Sequence, residues 1–235
     1  MTYGSTTTLS ALNLSVAKGE ILSVLGPNGA GKTTTINLFM GFTRPTSGRA
    51  EVCGICVDEN PLGARRKIAY IPESVSLYGN LTGTENLEYF ASLGGVKGLN
   101  KKSLQALLSR AGLQESAFDR RCSTYSKGMR QKVCVALALA KNAQAMLLDE
   151  PTSGLDPYAA AEFSTLVSDL AQQGVGALVA THDLLLAKQM SDRVLILVGG
   201  KVRQMFHTKD LSVGELEERY LTELATAEPS ARGPE

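Results

Sequence analysis

The sequence predicts an α/β protein organised on a mainly parallel sheet, and three observations carry that expectation. Short apolar runs at 21–25, 145–148 and 175–180 alternate with helical patterns, which is how a chain builds a parallel sheet with helices on its faces. A glycine-rich stretch links the first run directly to a helical one, the strand–loop–helix setting of a P-loop. Each run also leads into chemistry-bearing residues: Gly26 to Thr34 after the first, Asp149 and Glu150 after the second, His182 after the third. In open parallel sheets ligands collect at the carboxyl ends of the strands, so these groups are expected on one edge, around one site.

Taken in order, residues 1–10 are polar and threonine-rich, and Leu12, Leu14 and Val16 alternate as a half-buried strand would. Lys18-Gly19 is a turn ahead of the strand at 21–25 and a helix at 32–42. Arg44-Pro45-Thr46-Ser47-Gly48 is strong turn chemistry, 50–57 reads as a short hairpin around Gly54, and 67–71 as a strand stopped by Pro72. Residues 73–127 differ, with helical patterns broken by glycines such as Gly94-Gly95. There Thr82-Gly83-Thr84-Glu85 forms a capping box for a helix at 86–93, and Leu104, Leu107 and Leu108 make a helical stripe. This is a candidate helical insert of about 74–130. An apolar helix follows at 133–140, Asp156-Pro157 supply the N-cap and first position of another, and 194–198 and 202–206 close the sheet around Gly199-Gly200. Residues 211–225 are amphipathic; Leu211, Leu216, Leu221 and Leu224 would face either the core or a second subunit. From Glu228 the composition is that of a disordered tail.

The glycine-rich loop reads Gly26-Pro27-Asn28-Gly29-Ala30-Gly31-Lys32-Thr33-Thr34. Its glycines let backbone N–H groups face inward, where a Cβ would block a phosphate. The helix start that follows adds partial positive charge. Lys32 is placed to reach the β and γ phosphates of a nucleotide, and the Thr33 hydroxyl to hold Mg²⁺. Asp149 is expected to bind that metal opposite Thr33, and Glu150, one residue on, to polarise an attacking water. Two charges at a strand end are often merely solvated, and a lone histidine is more often structural; the shared edge is what argues for function here, with His182 contacting the γ-phosphate. Ser126-Lys127-Gly128 opens a further helix, with a serine cap and a glycine that leaves first-turn N–H groups open to an anion. The P-loop already serves one nucleotide, so this second start is expected to serve the nucleotide held by another copy.

The chain has 235 residues, 43% hydrophobic and 20% charged, with a net charge of +1. That is ordinary for a protein with a sizeable core and gives no electrostatic case for nucleic acid. No apolar stretch approaches the ~20 residues that span a bilayer, and no signal peptide is visible, so a cytoplasmic protein is expected, any membrane role needing a partner. Cys53-Gly54-Ile55-Cys56 has the spacing of a redox pair or half a zinc site, but no second pair completes it, and turn packing is the simpler reading.

With these residues in view, the chain resembles the ATP-binding subunit of ABC transporters over roughly residues 3–206. Walker A matches at Gly26 to Thr33, the Q-loop at Tyr70-Ile71-Pro72-Glu73, the signature at Tyr125-Ser126-Lys127-Gly128-Met129, Walker B at 145–150, the D-loop at Thr152-Ser153-Gly154-Leu155-Asp156, and the switch histidine at His182. The resemblance is greatest to the ABC-2 type export class. It implies a RecA-like core, an antiparallel β-subdomain and an inserted helical subdomain within 1–210, with 211–235 as a C-terminal helix and tail. It implies ATP and Mg²⁺, with Glu73 joining Thr33 and Asp149 at the metal, and Tyr3 stacking on adenine. It also implies a homodimer, or a heterodimer with a related ATPase subunit, in which Ser126, Lys127 and Gly128 contact the other subunit's ATP and Ser153 and Asp156 lie between. Transmembrane permease subunits would dock near the Q-loop, holding the protein at the inner face of the cell membrane. The family's usual residue at Glu73 is glutamine, and its usual signature is Leu-Ser-Gly-Gly-Gln, so Tyr125, Lys127 and Met129 are departures. A non-transport ABC ATPase acting on a cytoplasmic partner is the alternative; such proteins commonly carry two cassettes or long coiled-coil insertions. A P-loop GTPase is disfavoured because no Asn-Lys-x-Asp stretch occurs.

Overall fold

A computed structural model describes residues 2–3, 6–7 and 9–227. The first elements are a short antiparallel pair, β1 (Thr2–Tyr3) and β2 (Thr6–Thr7). The core then opens with β3 (Ile21–Leu25), whose side chains are all buried, and α1 (Lys32–Met40). A hairpin of β4 (Glu51–Val52) and β5 (Ile55–Cys56) turns through Cys53 and Gly54, both at positive φ. It precedes α2 (Pro61–Lys67) and β6 (Ile68–Ile71). Three helices follow: α3 (Gly83–Leu93), α4 (Lys101–Arg110) and α5 (Lys127–Ala140). The chain returns through β7 (Ala145–Asp149), α6 (Pro157–Gln172), β8 (Gly176–Thr181), α7 (Leu184–Met190), β9 (Arg193–Val198), β10 (Lys201–His207) and α8 (Val213–Ala227).

The main sheet has the order β10-β9-β3-β8-β7-β6, parallel except for β10 at one edge. The strand that leads into the glycine-rich loop is therefore central, flanked by β8 and β9, and the strand that ends in Asp149 lies one place beyond β8. Both faces are covered. Leu22, Val24, Ile36 and Leu195 belong to one buried cluster and Ile71, Met146, Leu148 and Val179 to another. A third, smaller cluster joins Leu25 and Ile196 to Leu216 and Tyr220 of α8, so this helix packs on the core while Leu221 is 55% exposed.

The helical region is tied together by buried polar groups. The capping box at Thr82 and Glu85 forms in both halves. Asn86, with no exposed surface, accepts from the Tyr78 N–H and donates to the carbonyls of Tyr78 and Thr82. Such a side chain fixes a loop that has no ladder of its own.

Two expectations need correction, and one element lies outside them. Leu12, Leu14 and Val16 do alternate in burial and pack on the core, but they form no strand, and no ladder joins them to another segment among the described residues. The first core helix stops at Met40, where Gly41 caps it in the left-handed region. α2 was not expected at all: it is short, carries Gly63 and three basic residues, and has one buried side chain, Ala64, so it shows no apolar stripe to read. The role expected of the Tyr3 side chain, and the tail from Glu228, lie outside the described residues.

Candidate nucleotide site

The loop after β3 is shaped by its neighbours as much as by a ligand. A Cβ on Gly26 would lie 2.3 Å from the Leu197 carbonyl oxygen, so the close approach of β9 by itself already requires glycine there. Gly31 is the N-cap of α1 at φ 106, a conformation that favours glycine, and no side chain caps the helix. The first-turn N–H groups of α1 are thus left for an anion.

Pro27 to Thr34, together with Glu73, Asp149 and Glu150, line a cavity of about 230 Å³ at the carboxyl edge of the sheet. Within it Lys32 is buried. Its Nζ donates to the Gly26 carbonyl at 2.7 Å and the Pro27 carbonyl at 3.3 Å, and lies 3.2 Å from Glu150 Oε1. The Thr33 hydroxyl donates to Asp149 Oδ2 at 3.1 Å. This is the meeting of hydroxyl and carboxylate that the motifs imply, between residues 116 apart in sequence.

Glu150 sits at φ 45, uncommon for a residue with a side chain, and its N–H donates to the Ala180 carbonyl at 2.8 Å. Its Oε2 lies 2.9 Å from His182 Nδ1 and accepts from Thr181 Oγ1 at 3.2 Å. Burial works against the charge on Glu150, but the His182 hydrogen bond and the Lys32 ammonium outweigh it and hold the carboxyl below its ordinary value. Asp149 goes the other way. Burial raises its carboxyl, the Glu150 and Glu73 charges add to that, and the Thr33 hydrogen bond and Lys32 only partly oppose them. A cation placed between Thr33 and Asp149 would relieve that burden.

His182 joins the site through Glu150 and is otherwise exposed. Thr181, to which the sequence assigned no role, is a further member: its hydroxyl donates to Glu150 and accepts from the Asp183 N–H at 3.0 Å. Its place between an apolar strand and His182 was the available signal.

Ser126, Lys127, Gly128, Ser153 and Asp156 do not line the cavity. Ser126 caps α5, accepting from the Met129 N–H at 3.3 Å. Asp156 caps α6, accepting from the Ala159 N–H at 2.9 Å. Tyr125 points into the helical region, where its hydroxyl donates to the Ala117 carbonyl at 2.5 Å and burial pushes its ionisation up to about 12. A groove of about 290 Å³ at the opposite end of the sheet, between Arg110, Asn142 and Gln173, has no carboxylate in its lining and takes no part in this chemistry. Among the described residues no group of three His, Cys, Asp or Glu side chains forms a metal cage, and all four cysteines are free. Thr33 and Asp149 instead suit a Mg²⁺ that keeps phosphate and water ligands.

A family profile described as ABC transporter matches residues 9–153. YhcH, an ABC transporter ATP-binding protein of Bacillus subtilis (strain 168), is 35% identical over 89% of this chain and 68% of its own length. The doxorubicin resistance ATP-binding protein DrrA of Mycobacterium tuberculosis (strain ATCC 25618 / H37Rv) is 36% identical over 84% of this chain and 60% of its own. The bacitracin transport ATP-binding protein BcrA of Bacillus licheniformis is 36% identical over 85% and 65%. The chain thus spans between 60 and 68% of the length of these three relatives. Among solved structures, an ATP-binding subunit of an ABC transporter superposes with a TM-score of 0.80 at 31% identity, covering 93% of this chain and 95% of the other. A dimeric ATP-binding cassette in a post-hydrolysis state, bound to ADP and Pi, gives 0.78 at 28% identity over 88% and 94%.

Proposed function

Since this chain belongs to the ABC transporter family, as an ATP-binding cassette, we propose that it hydrolyses ATP between two facing subunits to drive transport through separate membrane permease subunits. Resemblance to proteins named for doxorubicin resistance and bacitracin transport favours export. No helix among the described residues is long and apolar enough to cross a membrane, and in this reading the translocation path is formed by the permease subunits. Docked on them, the cassette would lie at the inner face of the membrane.

One observation carries the two-subunit reading: the chain does not itself need glycine at 128. A Cβ there would meet only Ala159 Cβ at 3.7 Å and Leu155 Cδ2 at 3.8 Å, ordinary contacts, and the backbone is not in the left-handed region. Glycine is a poorer helix former than alanine, by up to about 1 kcal/mol in a helix interior. Space kept clear at that cost beside the open N–H groups of α5 fits a phosphate brought by a second subunit. The dimeric cassette with ADP and Pi supports the same arrangement.

In this reading Lys32 and the first turn of α1 bind the β and γ phosphates. Thr33 and Asp149 hold Mg²⁺, with Glu73 beside them; the metal supplies charge neutralisation at the phosphates. Drawing Lys32 toward phosphate removes the cation from Glu150, which is then left as an acceptor for the attacking water, steadied by Thr181 and His182. Ser126 and Gly128 close on the γ-phosphate of the facing subunit, and Ser153 and Asp156 lie along the same seam. Tyr78 and Tyr89, packed edge to face at 5.0 Å, and Leu93, 68% exposed, give the helical region an apolar surface suited to a permease. The domain division we propose is a cassette over 1–210 with its helical insert at about 74–130, followed by a C-terminal helix and tail.

Glu150→Gln removes the charge that activates water while keeping its shape. With ATP and Mg²⁺ this variant is expected to elute as a dimer on gel filtration and to hydrolyse at least about a hundredfold more slowly. A strictly monomeric elution profile at high protein concentration would overturn the proposal.

A further inference from the structure

Two of the departures from the family's usual pattern meet at a third residue. Glu73, where glutamine is usual, brings a third carboxylate to the cavity that already holds Asp149 and Glu150. Lys127, where the signature usually has glycine, is the first residue of α5. Ser153 touches both. Its hydroxyl donates to Glu73 Oε1 at 3.3 Å, and its carbonyl accepts from Lys127 Nζ. A few residues away, Gln131, fully buried, donates through Nε2 to the Pro151 carbonyl and clamps α5 to the same turn.

Local helix physics does not account for Lys127. A cation in the first turn opposes the helix dipole, and α5 has no acidic residue there to offset it. The side chain is half-buried and turned back across the start of the helix onto the turn after Glu150. Glu73 is equally awkward by itself, since its charge adds to the burden on Asp149. Together the two residues place opposite charges on either side of Ser153, the exposed Glu73 at its hydroxyl and Lys127 at its carbonyl.

We propose that Glu73 and Lys127 act as one charge-matched pair, bridged by Ser153, which sets the first turn of α5 according to what occupies the phosphate cavity. The inference rests on the two-subunit reading, in which that turn serves the nucleotide of the facing subunit. Glu73 lines the cavity of its own chain, while Lys127 sits between Ser126 and Gly128, the residues offered to the other. With a metal–nucleotide in the cavity the Glu73 carboxylate would turn toward it from Ser153, the turn whose carbonyl holds Lys127 would be freed, and α5 would follow. One site thereby reports its occupancy to the other, a coupling carried by charge and by a backbone tie. Lys127 and Ser153 are positioning residues: they act on α5 and not on the reacting atoms.

The test is a double-mutant cycle on the full chain, read as steady-state ATP hydrolysis with ATP and Mg²⁺ varied. Glu73→Gln and Lys127→Gly are each expected to lower kcat about tenfold, to bring the Hill coefficient toward one, and to change KM by less than about threefold. The double variant, which restores the family's usual pair, is expected to regain both kcat and cooperativity, and Lys127→Arg to retain them. Thermal melts accompany every variant, and Lys127→Gln replaces Lys127→Gly in the cycle if the latter does not fold. Single losses that simply multiply in the double variant overturn the pairing while leaving the two-subunit reading intact. Wild-type protein that hydrolyses ATP with a Hill coefficient of one, at concentrations where it is dimeric, removes the coupling that the pair is said to carry. Wild-type protein that never dimerises overturns the reading beneath it as well.

Discussion

Two helices in this chain begin in ways that favour an anion, and they are finished differently. α1 starts at Gly31 with no side-chain cap, inside a cavity whose walls carry Lys32, Thr33, Asp149 and Glu150. α5 starts at Ser126, which caps its own helix, with Gly128 in the first turn, and neither residue lines the cavity that α1 opens into. The first start has in one chain its cation and the groups proposed to hold the metal and to activate water, Thr33, Asp149 and Glu150. The second has only N–H groups, a hydroxyl and cleared space. A helix end needs neighbours before its partial charge becomes a site, and in the proposed two-subunit arrangement those of α5 come from the facing subunit.

The comparison breaks most readily at Lys32. Lys32→Ala is expected to weaken ATP binding by a single chain about a hundredfold or more, measured by titration calorimetry, because it removes the buried cation at the phosphate end and leaves Glu150 without its ion pair. Gly128→Asp is the matching change at the other start. ATP affinity of the single chain is expected to stay within about threefold of wild type, while turnover falls at least about a hundredfold, since a carboxylate now faces an incoming phosphate. Equal losses of affinity in the two variants would mean that both helix ends serve one nucleotide in one chain.

A smaller effect sharpens what holds α5 in place. A Cβ on Gly83 would meet the Tyr125 hydroxyl at 2.3 Å, so Gly83→Ala is expected to cost about 1–3 kcal/mol in urea unfolding. In a Tyr125→Phe background the oxygen is gone, and the same change should cost less than half as much. An unchanged penalty would show that the helical region is not keyed through this contact. The smallest effect belongs to the cap itself: Ser126→Ala is expected to destabilise by ~1 kcal/mol, with turnover falling by more than that loss of stability explains. A loss of stability alone would reduce Ser126 to a cap.

Much of the nucleotide site was legible residue by residue. Gly31, Lys32 and Thr33 follow a strand and open a helix, and no tertiary contact is needed to read them as a phosphate loop. Asp149, Glu150 and His182 were legible because each follows a strand of one parallel sheet, and a parallel sheet aligns its strand ends. The unread part depended on neighbours. The alternation of Leu12, Leu14 and Val16 reports a core on one side and solvent on the other, but a strand also needs a ladder partner, and that is not encoded in the segment. Gly26 reads as a phosphate glycine in the sequence, and only the fold shows that β9 also requires it, by placing the Leu197 carbonyl against it.

The sequence by itself pointed to the candidate residues and to the edge of the sheet on which they gather, because local geometry and strand direction are properties of short stretches. Only the tertiary structure decided which of them touch. It brought Ser153, 80 residues from Glu73, to within a hydrogen bond of it, and Lys127 to the same turn from the other side. It also turned the Tyr125 hydroxyl into the space that Gly83 leaves open. These contacts join segments far apart in the chain, and their energies depend on distances that folding alone sets.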